Sequence, residues 1–151
     1  MTTIGEVCMR DVIVGTSEMT VAAAAKLMRH HHVGSLVIVD RVDGGLGIPL
    51  GIVTDRDIVV EVIATGLDPN TMTVGDIVRG ELVTVRADAG TLVAMHMMRT
   101  KGVRRLPVVT EDGRLVGLVA FDDLLVLLTE QLSELTKLVG REQAREATAR
   151  K

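Results

Sequence analysis

The stretch from Ile4 to Asp40 is echoed from Val74 to Thr110, seventy residues later. Ile4-Gly5-Glu6-Val7 aligns with Val74-Gly75-Asp76-Ile77, and Ala24-x-x-x-Met28-Arg29 with Ala94-x-x-x-Met98-Arg99. Val33-x-x-Leu36-x-Ile38-Val39 aligns in the same way with Val103-x-x-Leu106-x-Val108-Val109. After a connection four residues longer in the first copy, the segment Gly51 to Ile58 matches Gly117 to Leu124. A duplicated unit of this size cannot bury its apolar face alone and closes against its sibling. The duplication therefore predicts two half-domains around one core, with a cleft where they meet.

A chain of 151 residues supports one such arrangement and little more. Aromatic residues are nearly absent, with no Trp, no Tyr and Phe121 alone, so Val, Leu, Ile, Ala and Met must build the core. Any flat ligand must then lie between aliphatic side chains. The formal charge of −3 offers no general attraction to nucleic acid, and there are no aromatic platforms on which bases could stack. No apolar run approaches the ~20 residues that span a bilayer, and the N-terminus lacks a basic stretch followed by an apolar signal segment. The single Cys8 excludes an intrachain disulfide and fits a reducing compartment. These features favour a cytoplasmic protein that engages neither membrane nor nucleic acid.

Val12-Ile13-Val14 and Leu82-Val83-Thr84-Val85 read as short strands entering each copy. Helices follow, with Thr20 and Asp88 as candidate caps. Val21, Ala24, Ala25 and Met28 share a helical face in the first copy, as do Leu92, Met95 and Met98 in the second. Each helix ends close to a glycine, Gly34 or Gly102. The runs Leu36–Val39 and Leu106–Val109 are continuously apolar, the pattern of strands covered on both faces. Pro107 has no N–H to give and is expected at a strand start or an edge. Asp112-Gly113 signals a tight hairpin, where the first copy has a glycine-rich loop from Asp40 to Leu50 that should be longer and more mobile. A helix closes each copy, over 55–64 and from Asp122 onward, and Gly66 with Asp68-Pro69-Asn70 marks the linker. Each unit is thus β-α-β-β-α. In the last helix Leu124, Leu128, Leu132, Leu135 and Val139 extend an apolar stripe for about five turns. Gly140 is the expected stop, and Arg141 to Lys151 should fray.

Two β-α-β-β-α copies, each with Ala-x-x-x-Met on its first helix, resemble a CBS (cystathionine-β-synthase) domain pair of stand-alone bacterial or archaeal type. A Gly-hydrophobic-x-(Thr/Ser)-x-x-Asp stretch enters the last helix of each copy in that family. The resemblance covers about residues 4–128. It implies an α/β fold of two tandem repeats packed with pseudo-two-fold symmetry, here with an extended C-terminal helix. It also implies a non-catalytic regulatory module that binds an adenosine-containing ligand between its repeats. AMP, ADP or ATP is the expected class, with S-adenosylmethionine or NAD as less common alternatives, and no cofactor is required. Such modules typically dimerise. The repeats are assigned to 1–66 and 67–128, and the extended helix and polar tail to 129–151.

Gly51-Ile52-Val53-Thr54-Asp55-Arg56-Asp57 matches the family's ligand motif in full. The first turn of a helix offers unpaired N–H groups and a positive dipole end, which favour phosphate. The Thr54 hydroxyl can donate to a phosphate oxygen, and the Asp57 carboxylate can accept from both ribose hydroxyls. The same two residues also make a capping box, a purely structural role that does not exclude the first. The second copy departs from the motif, with Ala120 in the hydroxyl position and Asp123 retained. Conversely, Arg104-Arg105 precedes Leu106-Pro107 where the first copy has Gly34-Ser35. The resemblance implies that such basic residues turn into the cleft and hold phosphates; a solvated pair at a strand entrance is the structural alternative. One cleft should then outperform the other, with Thr54 and Asp57 from the first copy and Arg104 or Arg105 from the second. By family analogy, adenine lies near Ile13-Val14 or Val83-Thr84. The expected nucleotide-binding set is Val14, Ile52, Thr54, Asp57, Arg104, Arg105, Pro107 and Asp123.

Other features carry less. Consecutive residues on a helix point about 100° apart, so His30-His31-His32 cannot converge on one metal ion. Histidines at a helix C-terminus are favoured by the dipole without any ligand role. Cys8 aligns with Val78 and reads as a small apolar residue. Phe121 reads as packing rather than as a base platform. No nucleophile has a base in context, and no phosphate-binding loop with its lysine occurs, so the chain is not expected to be an enzyme. The leading reading is a ligand-sensing module acting as a homodimer on an unidentified protein effector, with the final helix at or near the interface. The alternative is an interaction or oligomerisation protein whose clefts stay empty.

Overall fold

A computed structural model describes residues 1–42 and 45–150. The first repeat runs α1 (Ile4–Val7), β1 (Val14–Gly15), α2 (Val21–His31), β2 (Ser35–Val39), β3 (Pro49–Thr54) and α3 (Asp55–Ile58). The last of these runs on as a π-helical turn over Val59–Ile63. The second repeat runs α4 (Val74–Ile77), β4 (Val85–Arg86), α5 (Thr91–Lys101), β5 (Arg105–Val109), β6 (Leu115–Ala120) and α6 (Phe121–Ala149). Each repeat holds a three-stranded sheet in the order β1-β2-β3 or β4-β5-β6. In both sheets the first pair is parallel and the second antiparallel. The architecture is the expected α/β pair of β-α-β-β-α repeats, each preceded by a short extra helix.

Those extra helices lock the halves together, because each packs on the repeat it does not belong to. Ile4 N–H donates to Ala89 at 2.8 Å and Gly5 N–H to Ala87 at 2.8 Å. Ile4 is buried with Val85, Ala94, Leu106 and Val119 of the second repeat. Reciprocally, Val74 N–H donates to Met19 and Gly75 N–H to Ser17, and Val74 and Ile77 complete the core of Val21, Ala24, Leu36 and Val53. A third cluster of Val12, Val37, Val39, Leu115 and Leu118 fills the seam between the two sheets. Both faces of β2 are therefore covered, as its unbroken apolar run predicts.

Close approach at the exchange demands glycine. A Cβ on Gly117 would lie 2.6 Å from Cys8 Sγ and 2.7 Å from the Met9 carbonyl, and a Cβ on Gly51 would collide with Val78. Cys8 behaves as the small apolar residue expected of Val78's twin, and burial pushes its thiol pKa up.

Several local expectations fail for identifiable reasons. The entering strands are two residues long and begin at Val14 and Val85. Helix α2 is capped by the Thr20 hydroxyl, which accepts from Ala23 N–H at 3.1 Å. Asp88 does not cap α5; Gly90 holds that position, and Asp88 pairs with Arg86 at 2.7 Å instead. Leu92 is 76% exposed because the buried face of α5 is set by Ala94 and Met98. Both helices end close to the expected glycines, α2 through His32 in the left-handed cap (φ 55°) just before Gly34 and α5 on Gly102 itself (φ 66°).

Pro107 is neither at a strand start nor on an edge strand, since β5 is central. Its twin Val37 shows why proline is tolerated. Val37 sends its N–H away from β3, to Ile13 O at 3.2 Å, so a proline at the equivalent point forgoes one bond on the β4 side and none of the ladder to β6. Gly140 does not stop α6, which continues to Ala149. A glycine inside a helix costs only about 1 kcal/mol, less than the flanking helix formers recover. The expected fraying of the tail is not seen through Arg150, and Lys151 lies outside the described residues, as do 43 and 44 of the glycine-rich loop. No helix among the described residues is long and apolar enough to cross a membrane.

Two substitutions test this packing by chemical denaturation. Gly117→Ala should destabilise by about 1–3 kcal/mol through overpacking against a backbone carbonyl that cannot move aside. His32→Gly should stabilise by roughly 0.5–1 kcal/mol, the relief of a left-handed non-glycine residue less the added chain entropy.

Candidate functional site

The seam opens into a cavity of about 220 Å³ on one side of the pseudo-two-fold axis. The first repeat contributes Asp11, Ile13, Gly34 and Ser35, and the second contributes Arg105, Ala120, Asp122 and Asp123. The walls come from strand beginnings and helix starts for a topological reason. Ser35 pairs with Thr54 across β2 and β3, and Arg105 with Ala120 across β5 and β6. The residues just before each central strand thus lie beside the start of each closing helix. Ser35 and Arg105 are twins in the duplication, and both line this one cavity, which places them near the axis.

At the start of α3, Thr54 Oγ1 accepts from Asp57 N–H at 3.1 Å, and Asp57 Oδ2 accepts from Thr54 N–H at 2.9 Å. Both side chains are half-buried. This is the complete capping box, and it leaves the second carboxylate oxygen of Asp57 and the Thr54 hydroxyl proton for other partners. At the start of α6 only half of the device remains. Asp123 Oδ2 accepts from Ala120 N–H at 3.0 Å, but Ala120 has no oxygen to receive Asp123 N–H.

The eight expected site residues do not gather at one place. Arg105 and Asp123 line the cavity. Thr54, Asp57 and Ile52 do not; they occupy the positions that the repeat correspondence relates to Ala120, Asp123 and Leu118, on the other side of the axis. Arg104 turns outward, its guanidinium 5.2 Å from the Phe121 ring and 3.8 Å from Asp122. Phe121 is 44% exposed at the mouth of a groove between α5 and α6 and does not line the seam cavity. Val14 pairs with Val37 and packs on the seam cluster, so Ile13 rather than Val14 faces the cavity. Pro107 is buried within β5 and does not line it.

Sequence reasoning missed Ser35 and Asp11. The duplication held the signal for Ser35, since its twin Arg105 was already a candidate. Asp11 lies in an irregular entry segment, where no periodicity tells an inward side chain from an outward one.

The CBS domain family matches this chain twice, at residues 4–64 and 74–130. "Hypoxic response protein 1" of Mycobacterium tuberculosis is 39% identical over 127 residues, 82% of this chain and 83% of that protein. An uncharacterized Methanopyrus kandleri protein, MK0525, is 40% identical over 122 residues, and the match spans 60% of its length. Among solved structures, Hypoxic Response Protein I with two coordinated zinc ions superposes with a TM-score of 0.70 at 39% identity, over 82% of this chain and 97% of that one. Among the described residues here, no three His, Cys, Asp or Glu side chains come together as a metal site would need. The CBS domain pair of MJ0100 in complex with 5′-methylthioadenosine and S-adenosyl-L-methionine superposes at 0.74 with 25% identity, over 87% of this chain and 98% of that one. Taken with the exchanged helices and the duplicated strand order, these matches show that the chain belongs to the CBS domain family and carries two CBS domains in tandem.

Proposed function

We propose that this chain is a non-catalytic regulatory module that binds a phosphate-bearing adenosine nucleotide, of the AMP, ADP or ATP class, in the cleft at Thr54 and Asp57. The observation that carries this reading is an opposition of charge between the two clefts. The cavity beside Asp123 presents Asp11, Asp122 and Asp123 against Arg105 alone. At the positions that the repeat correspondence relates to it stand Glu81 and Asp57 with Arg56, Arg79 and Arg104, the last turned outward here, and Arg105 lies beside the axis. An anionic tail is favoured in the second environment and opposed in the first.

Within that cleft, Asp57 would accept from the ribose hydroxyls and Thr54 would donate to the nearest phosphate. Ile52 and Val83 would sandwich the base. Arg104 can turn inward at little cost, because its pairing with Asp122 is largely exposed and such pairs contribute ~1 kcal/mol or less. The MJ0100 complex supports an adenosine-type ligand for this architecture. Its two ligands carry no phosphate, and an uncharged or cationic adenosyl group of that kind suits the acidic cleft better than a nucleotide. Ligand held between interlocked halves would bias their relative packing, and an effector bound to one packing would report it. The chain is proposed to act as a homodimer.

A second reading has its own support. Helix α6 projects an uncovered apolar stripe, and both hydrogen bonds of the Thr54 cap are satisfied without ligand. A protein working only through its oligomeric surface would show no thermal shift with AMP, ADP, ATP, NAD or S-adenosylmethionine.

Calorimetric titration with ATP, AMP and adenosine tests the primary reading. Charge-assisted bonds to phosphate are worth ~1.5–3 kcal/mol, so Arg104→Ala should weaken ATP by roughly 10–100-fold and leave adenosine nearly unchanged. Equal losses for all three ligands would remove the phosphate role. Thermal unfolding separates capping from recognition: Thr54→Ala should cost about 1 kcal/mol without ligand, and Ala120→Thr should recover a similar amount. Only Thr54→Ala should also shrink the increment in melting temperature that ATP produces.

A further inference from the structure

Beyond residue 128 every described side chain of α6 is exposed, so the helix leaves the body of the protein and rests on nothing of its own chain. In proteins most of a helix's stability comes from packing of its apolar face rather than from propensity. The apolar residues of α6 are neither random nor confined to the part that packs. Phe121, Leu125, Leu128, Leu132, Leu135 and Val139 follow one another at alternating spacings of four and three. This 3.5-residue period marks a helix that packs along a second helix, whereas a helix lying on a globular core follows 3.6. All six are uncovered, from 39% for Leu128 to 64% for Leu132.

The near half of this seam borders a groove of about 330 Å³ between α5 and α6, walled by Met95, Met98, Phe121, Leu124, Leu125 and Leu128 with Arg99 as its one charged residue. The far half, Leu132 to Val139, projects past it. The molecule thus presents an apolar groove and an apolar helix of matching period.

We propose that α6 pairs antiparallel with α6 of a second copy, each projecting half lying in the other's α5–α6 groove. With the two-fold axis between Leu128 and Leu132, Phe121 meets the partner's Val139, Leu125 the partner's Leu135, and Leu128 the partner's Leu132. Every seam residue then finds an apolar counterpart, and the interface closes on itself as a two-fold dimer must. The seam's own continuation selects the direction. Its next positions are Glu142 and Glu146. An in-register parallel pair would set each of these carboxylates against its twin, which is destabilising, whereas the antiparallel pair keeps each carboxylate far from its twin. The dimer expected above acquires a specific geometry in this way, independent of whether nucleotide binds.

The test uses the full-length chain. Leu132→Glu changes a side chain that is largely exposed in the single chain, so the variant should keep its circular dichroism while its dimer dissociation constant rises at least ~100-fold in analytical ultracentrifugation. Disulfide trapping in a Cys8→Ala background then fixes the direction. A mixture of Leu125→Cys and Leu135→Cys chains should give the mixed disulfide rapidly and little of either self-linked product. Efficient self-linking of each variant would mean a parallel pair and overturn the proposal. A stable dimer that traps neither product, or that survives Leu132→Glu, would overturn the α6 pairing while leaving the homodimer in place. A monomeric wild-type chain would overturn both.

Discussion

The hydrogen bonds that carry Ile4 and Gly5 onto Ala89 and Ala87, and Val74 and Gly75 onto Met19 and Ser17, are the constraint on which the rest depends. Through them each repeat receives a helix it does not encode. Neither core closes without the other: Ile4 is fully buried among residues of the second repeat and Val74 among those of the first. The same exchange draws Gly117 against Cys8 and Met9, and Gly51 against Val78, so tightly that a methyl group has no room. Two halves held this way share one seam of fixed geometry, and a pair of clefts follows from the pseudo-two-fold axis.

What the axis makes alike, the residues make different. The duplication places Ser35 opposite Arg105, Gly34 opposite Arg104, Arg56 opposite Asp122 and Thr54 opposite Ala120. Arg104, Arg56 and Thr54 put basic or donor groups on the Thr54 side and Asp122 puts a carboxylate on the Asp123 side, while Ser35 and Arg105 both line the Asp123-side cavity. One backbone thereby presents two electrostatic environments a short distance apart. Under the function proposed above, such a difference would let the chain discriminate among adenosine ligands without any change of fold, through the charge on the ligand's 5′ group. The exposed pairing of Arg104 with Asp122 fits the same view, since it holds a guanidinium near the seam without committing it.

Most of the architecture was legible in the sequence because the repeat doubles every signal. Strand runs, helix faces, the Asp112-Gly113 hairpin and the Thr20 cap each appear where local chemistry puts them. The helix exchange was not legible. A short helix headed by Ile4 carries no mark of which core it will enter, since both are made of the same aliphatic residues. Pro107 misled because a proline in a central strand usually breaks a ladder, whereas here the missing N–H faces the β4 side and leaves the pairing with β6 intact. Gly140 misled because a single glycine signal was weighed without the long run of helix formers around it. Near the seam, the helix-start hydrogen bonding of Thr54, Asp57 and Asp123 was legible from their motif. The division of candidates between two clefts was not, because it depends on which side of the axis each strand start falls.

The most direct test of the seam account is a methyl NMR titration with ATP on protein labelled at Ile and Val side chains. The account predicts the largest shifts at Ile52 and Val83, which flank the basic cleft, and small ones at Ile13 in the acidic cavity. Shifts dominated by Ile13, or confined to surface methyls such as Val59 and Ile63, would contradict it.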